Sequence, residues 1–242
     1  MLQDRIIPVL LLQHNKLVKT VQFSRPVYIG DPINTIRIFN EKQAGEIIVL
    51  DITPAAKPNL SIITKLAMEC AMPFIYGGAI HALDDAKAVF DCGVEKIVLN
   101  AAAYSNPALL HDIANAYGSQ ALAIAIDVKK VHDTYNVFIH NGKLNTHKGP
   151  VEYAQLAAQN GAGELFLNSI DRDGTYTGYD TGLIKEVASQ VSIPLIACGG
   201  ARDKNDLQSA LMHGASAAAA GSMFCFTGRH RAVLISYPAN NT

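Results

Sequence analysis

The sequence predicts an α/β fold, a closed (β/α)8 barrel, and three observations predict it. Strand-like apolar runs recur eight times with helical segments between them in 242 residues, the unit count of such a barrel. Several runs are continuous rather than alternating, as parallel strands covered on both faces require. The halves of the chain also resemble each other, so the barrel reads as two similar half-barrels. A doubly wound open sheet is the alternative, but eight evenly spaced units favour closure. The whole chain, 1–242, is read as one domain.

The strands in order are Ile6–Leu12, Glu46–Asp51, Pro73–Tyr76, Lys96–Asn100, Ala121–Asp127, Glu164–Ser169, Pro194–Cys198 and Ala217–Gly221. The helices are Pro32–Gln43, Asn59–Cys70, Ala82–Asp91, Asn106–Tyr117, Val151–Asn160, Thr181–Gln190 and Lys204–His213. Gly45, Gly93, Gly118, Gly161 and Gly214 are expected to supply the left-handed residue that stops a helix. MPFIYGGAI (Met72–Ile80) parallels IPLIACGGA (Ile193–Ala201), and LDIT parallels SIDRDGT. In that frame the first strand matches the strand ending in Asp127, and Leu11 falls opposite Asp127. Two connections are long. The one between Gln13 and Asp31 is expected to lie over the mouth as a lid or binding loop. After Asp127, Asn141-Gly142 between short alternating runs predicts a hairpin.

Twenty basic against twenty-one acidic residues leave a net charge of -1. That balance gives no reason to expect nucleic acid or an anionic membrane surface as partner. A phosphorylated substrate needs only a local site. Cys70, Cys92, Cys198 and Cys225 lack metal-type spacing and read as reduced thiols of a cytoplasmic protein. No metal and no cofactor is expected. The apolar stretch Ile6–Leu12 is too short to span a membrane, and no small-residue cleavage site follows it.

Asp127 ends the run ALAIAID at a strand's carboxyl end, where such barrels place chemistry; a capping or turn aspartate is the alternative. Gly199-Gly200 with Gly221-Ser222 predict a phosphate site, because backbone N–H groups can approach a ligand there. For Gly77-Gly78 a tight turn is an equal reading. Among Asp171, Asp173 and Thr175, Asp173 is expected to face the mouth, with a cap or turn role within the group. At the opposite end Arg5, Glu46, Lys96 and Glu164 begin strands one, two, four and six. Such charges are usually solvated. Alternating in sign around one rim, they could instead close into a neutral ring that plugs the barrel.

These motifs, in order, resemble the cyclase subunit of imidazole glycerol phosphate synthase. RIIPVL, GDP, LDIT, GGAIH, GVEKIVLN, GSQALAIAID, GKLNT and GAGELFLNSIDRDGTYTGYD carry the resemblance over nearly the whole chain. It implies a half-barrel duplication. A glutaminase partner docks on the amino-terminal face, near Glu95 and Gln120, and supplies ammonia that cleaves and cyclises a ribulosyl-linked nucleotide. It implies a catalytic role for Asp127, mouth positions for Lys19, Asp51 and Asp173, and phosphate contacts at Asn100, Gly200 and Ser222. Arg5, Glu46, Lys96 and Glu164 match the ammonia gate. The family's first catalytic aspartate matches Leu11, which cannot transfer a proton. Loss of one acid–base group typically costs about 10²–10⁴-fold. Ala79, Ala101 and Arg202 also replace the family's residues, and GRHRAVLISYP lacks the usual final helix. These departures resemble a branch found with surface-polysaccharide amidotransferases, in which a third protein amidates a sugar. The chain is therefore expected to pass ammonia to a phosphorylated or nucleotide-linked acceptor. The alternatives are ordinary cyclase activity in histidine biosynthesis and a non-catalytic scaffold for the glutaminase.

Overall fold

Side chains alternate across a strand, and this alternation builds two cores. The computed structural model describes residues 4–238; the ends of the single-domain assignment, residues 1–3 and 239–242, lie outside them. Eight parallel strands pair around a closed circle: Ile6–Gln13, Ile47–Asp51, Phe74–Gly77, Lys96–Leu99, Leu122–Val131, Glu164–Ser169, Leu195–Cys198 and Ala217–Ala220. The sixth strand closes the circle against the fifth and seventh, and the eighth against the first. Ile7, Val9, Ile48, Val98 and Phe166 point inward and form the barrel's own core. Ala123, Ala125, Ala217 and Ala219 share that core. Their small side chains leave room for the fully buried Phe166, whose burial contributes about 1.5–3 kcal/mol. Outward residues such as Ile47, Val49 and Leu165 join the larger core beneath the helices.

Seven helices of eight or more residues surround the described barrel, close to the predicted spans. Asp31, Asp180 and Asp203 cap three of them through side-chain bonds to helix N–H groups. Gly93, Gly118, Gly161 and Gly214 take positive φ after their helices as expected. Gly45 does not. Gln43 at φ 54° turns the chain instead, and Ala44 N–H bonds back to Phe39.

The long connection after the first strand is not an open loop. The strand runs on into an antiparallel ribbon, Lys16–Val21 and Ser24–Gly30. Its turns, His14-Asn15 and Gln22-Phe23, have both residues at positive φ, as two-residue hairpins of matching twist require. The fifth strand likewise continues past Asp127 to Val131, turns at His132-Asp133, and pairs with Thr134–Ile139. Asn141-Gly142 then turns that strand into Leu144–Asn145. After the eighth strand come a four-residue helix, Ser222–Cys225, and a small ribbon, Phe226–Thr227 with Ala232–Val233. The following segment is held by Tyr237, whose hydroxyl donates to the Ile6 carbonyl at 2.9 Å and whose ring meets Phe39 and Phe224.

Candidate functional site

The carboxyl ends of the strands enclose a cavity of about 440 Å³. Asp127 and Leu11 both line it, from the fifth and first strands. Asp127 is only 8% exposed and accepts a hydrogen bond from Asn100 Nδ2 at 3.2 Å. Burial pushes its carboxyl up to about 7; the nearby Asp173 charge adds to the rise, and the Asn168 amide opposes it. Asp127 is therefore poised to hold or release a proton near neutral pH.

Asp173 enters the same cavity from the loop after the sixth strand. The first ribbon holds it there: Thr20 Oγ1 donates to its carboxylate at 3.1 Å, and Gln22 N–H to its backbone carbonyl at 2.9 Å. Burial raises its pKa, against the Lys19 charge and the Thr20 bond. Its sequence neighbours have other work. Asp171 accepts from Lys130 N–H and anchors the second hairpin, and Thr175 closes a turn on Arg172.

Lys19 is 6% exposed and donates from Nζ to the Val9 carbonyl at 2.6 Å. Gly221 makes this possible, since a Cβ there would collide with Nζ. Asp51 lines the cavity, but its carboxylate also accepts from Thr53 N–H, an internal turn bond. Gly200 and Ser222 do not face the main cavity. They line a separate cleft of about 20 Å³, room for about one water. Tyr176 donates its hydroxyl to the Ser222 carbonyl at 2.8 Å there. Gly199 and Gly200, both at positive φ, are packed against backbone of the sixth-strand loop, and Gly178 N–H bonds to the Gly200 carbonyl. Chain packing thus uses the close approach that the sequence suggests for a ligand.

At the opposite end the four rim charges meet. Arg5 donates to Glu164 at 2.7 Å and to Glu46 at 2.8 Å, and Lys96 pairs with Glu164. Burial works against the Arg5 charge, but Glu164 and Glu46 outweigh it and hold its pKa above the usual value. The predicted ring is left open: among the described residues no ion pair joins Lys96 to Glu46. Glu164 is the hub, with a side chain only 3% exposed.

A family profile described as histidine biosynthesis protein matches residues 5–231. A Pseudomonas aeruginosa protein provisionally named imidazole glycerol phosphate synthase subunit hisF2 is 48% identical, over 100% of this chain and 98% of its own length. The chain belongs to the HisF-like family of imidazole glycerol phosphate synthase cyclase subunits. A Leptospira interrogans relative, provisionally named as subunit HisF, is 46% identical over 98% of this chain and 96% of its own. The Helicobacter hepaticus imidazole glycerol phosphate synthase subunit HisF is 40% identical over 92% and 90%.

Within this HisF-like barrel the departures now have places. Ala79 sits at φ 52°, a conformation that suits glycine. Ala101 begins a short helix beside Asn100 and offers the cavity no hydroxyl. Arg202 turns onto Asp206 of the following helix, Lys204–Met212, with two side-chain bonds of 2.8 Å. Residues that the sequence reading did not single out also shape the site. His81, His140 and Lys143 stand on the cavity wall, and Asn168 and Cys198 on its inner surface. Arg231 of the last ribbon lies over the rings of Tyr176 and Phe226. No spacing rule marks them, because elements distant in the sequence bring them in: Asn168 and Cys198 from strand ends, the others from loops and turns.

Proposed function

We propose that the chain is the ammonia-using subunit of an imidazole glycerol phosphate synthase. Ammonia from a glutaminase docked on the amino-terminal face enters at the Arg5, Glu46, Lys96 and Glu164 rim. It meets a phosphorylated, ribulosyl-linked nucleotide in the mouth, where Asp127 supplies acid–base chemistry. The observation that carries this reading is one axis with two built ends. An ion-paired rim stands at the strand starts, and a cavity with a proton-holding carboxyl stands at the strand ends. Lys19, Asp51, Asn100 and Asp173 position the substrate. Gly200, Gly221 and Ser222 are the phosphate positions that the resemblance implies, and binding there requires their cleft to open beyond its room for about one water. The names of the relatives favour this reading over sugar amidation.

One observation favours a second reading, in which the barrel passes ammonia to a third protein that amidates a sugar of a surface polysaccharide. Leu11 stands where the family has a carboxylate. The test is the purified chain with saturating ammonium and the ribulosyl nucleotide. Formation of the imidazole product supports cyclase function. No product, together with stimulation of the glutaminase in a reconstituted complex, supports ammonia delivery.

A further inference from the structure

We propose that Asp173 fills the proton-transfer place that Leu11 leaves empty and works with Asp127 as an acid–base carboxyl pair in one cavity. This rests on the cyclase reading above. Both side chains line one cavity, one from the end of the fifth strand and one from the loop after the sixth. Position 11 offers only an apolar surface on that wall.

The two environments differ in the way an acid and a base require. Asp127 sits in the barrel wall, with amides from Asn100 and Asn168 beside it. Burial raises the pKa of Asp173, but the charge of Lys19, the Thr20 hydroxyl bond, the Phe23 N–H bond and the charge of Arg231 all oppose that rise and favour its ionised form. Lys19 meets no carboxylate within 4.0 Å among the described residues, and its hydrogen bond goes to a carbonyl. Its charge is thus free to favour ionised Asp173. Cys198 of the seventh strand feels both carboxyls and Tyr153 of the helix Pro150–Gln159 feels Asp127, and neither supplies a positive charge; Asp51, His81, His140 and Lys143 line the same cavity. Like charges in one buried site resist joint ionisation. Asp127 is therefore the member that carries the proton, the general acid, and Asp173 the ionised member, the general base.

A carbon-13 carboxyl titration of the full chain tests the pair without any substrate. Asp127 is expected to titrate near 7 and to fall by at least about one pH unit in Asp173→Asn. An unchanged Asp127 midpoint overturns the proposal. In the ammonium-dependent reaction, Asp173→Asn is expected to lose about 10²–10⁴-fold in kcat with its base limb abolished. Natural rate and pH profile in that variant overturn the assignment. Should Asp173→Asn not fold, Thr20→Val keeps the charge but removes the bond that favours it. The base limb should then move to higher pH, and an unmoved limb counts against the pair. If the natural chain makes no product while the titration stays coupled, the cyclase reading falls and the pair stands.

Discussion

Asp127 links fold stability to chemistry at a single atom pair. Its folded pKa of about 7 lies above the ordinary aspartate value of about 3.9. The folded state therefore binds the proton more tightly than the unfolded chain does. That contribution to stability is complete below about pH 4 and is lost as pH rises through about 7. Asp127→Asn removes the buried charge, so its stability advantage over the natural chain should grow between pH 4 and pH 8. An advantage of about 2–4 kcal/mol is expected at pH 8 from urea unfolding, and a constant difference across that range would contradict the assigned burial cost. Ala79 tests local strain in the same way. Ala79→Gly relieves a left-handed conformation worth about 1 kcal/mol but loosens the unfolded chain, for a net gain of about 0.5 kcal/mol. A loss of stability would show that Ala79 is not strained. Asp127 was legible in the sequence because it ends an apolar strand; its proton affinity was not, because it comes first from burial beneath distant elements and then from Asp173, which arrives from another element.

The elements above the barrel explain what was hard to read. The eight strands announce themselves as apolar runs, and most helices end at a glycine the sequence marks, Gly45 excepted. The first ribbon has turns of His14-Asn15 and Gln22-Phe23, and the fifth-strand hairpin turns at His132-Asp133. None contains the glycine that marks such turns in sequence. Tertiary contacts hold them instead, including Gln22 Nε2 to the Asp171 carbonyl at 2.8 Å and Lys130 N–H to the Asp171 carboxylate. The same ribbon delivers Lys19 and Thr20 to the cavity; the sequence places Lys19 and this connection at the mouth, but not the ribbon's turns or Thr20. Gly221→Ala tests this delivery. Its Cβ displaces Lys19 from the Val9 carbonyl, with an expected stability loss of about 1 kcal/mol and a fall in ammonium-dependent kcat. Unaltered kcat would separate Lys19 from the chemistry.

At the scale of the whole molecule, the account joins two ends of one barrel. Glu164 serves Arg5 and Lys96 together, so Glu164→Gln should leave both cations under-compensated. Those cations keep some solvent, which limits the cost to about 1–3 kcal/mol. In the complex, turnover driven by glutamine should change more than turnover driven by added ammonium, and equal effects would separate the rim from ammonia passage. The four rim charges were legible as a set because they begin strands one, two, four and six with alternating sign. That Lys96 does not close onto Glu46 depends on side-chain reach, which the sequence does not display. The most direct measurement is steady-state formation of the imidazole product from the ribulosyl nucleotide with saturating ammonium, across pH, for the natural chain and Leu11→Asp. The account predicts turnover that is slower than about 1 s⁻¹, depends on a group titrating near 7, and rises in Leu11→Asp. No product from either chain at any pH, with the nucleotide bound in the cavity, would contradict it.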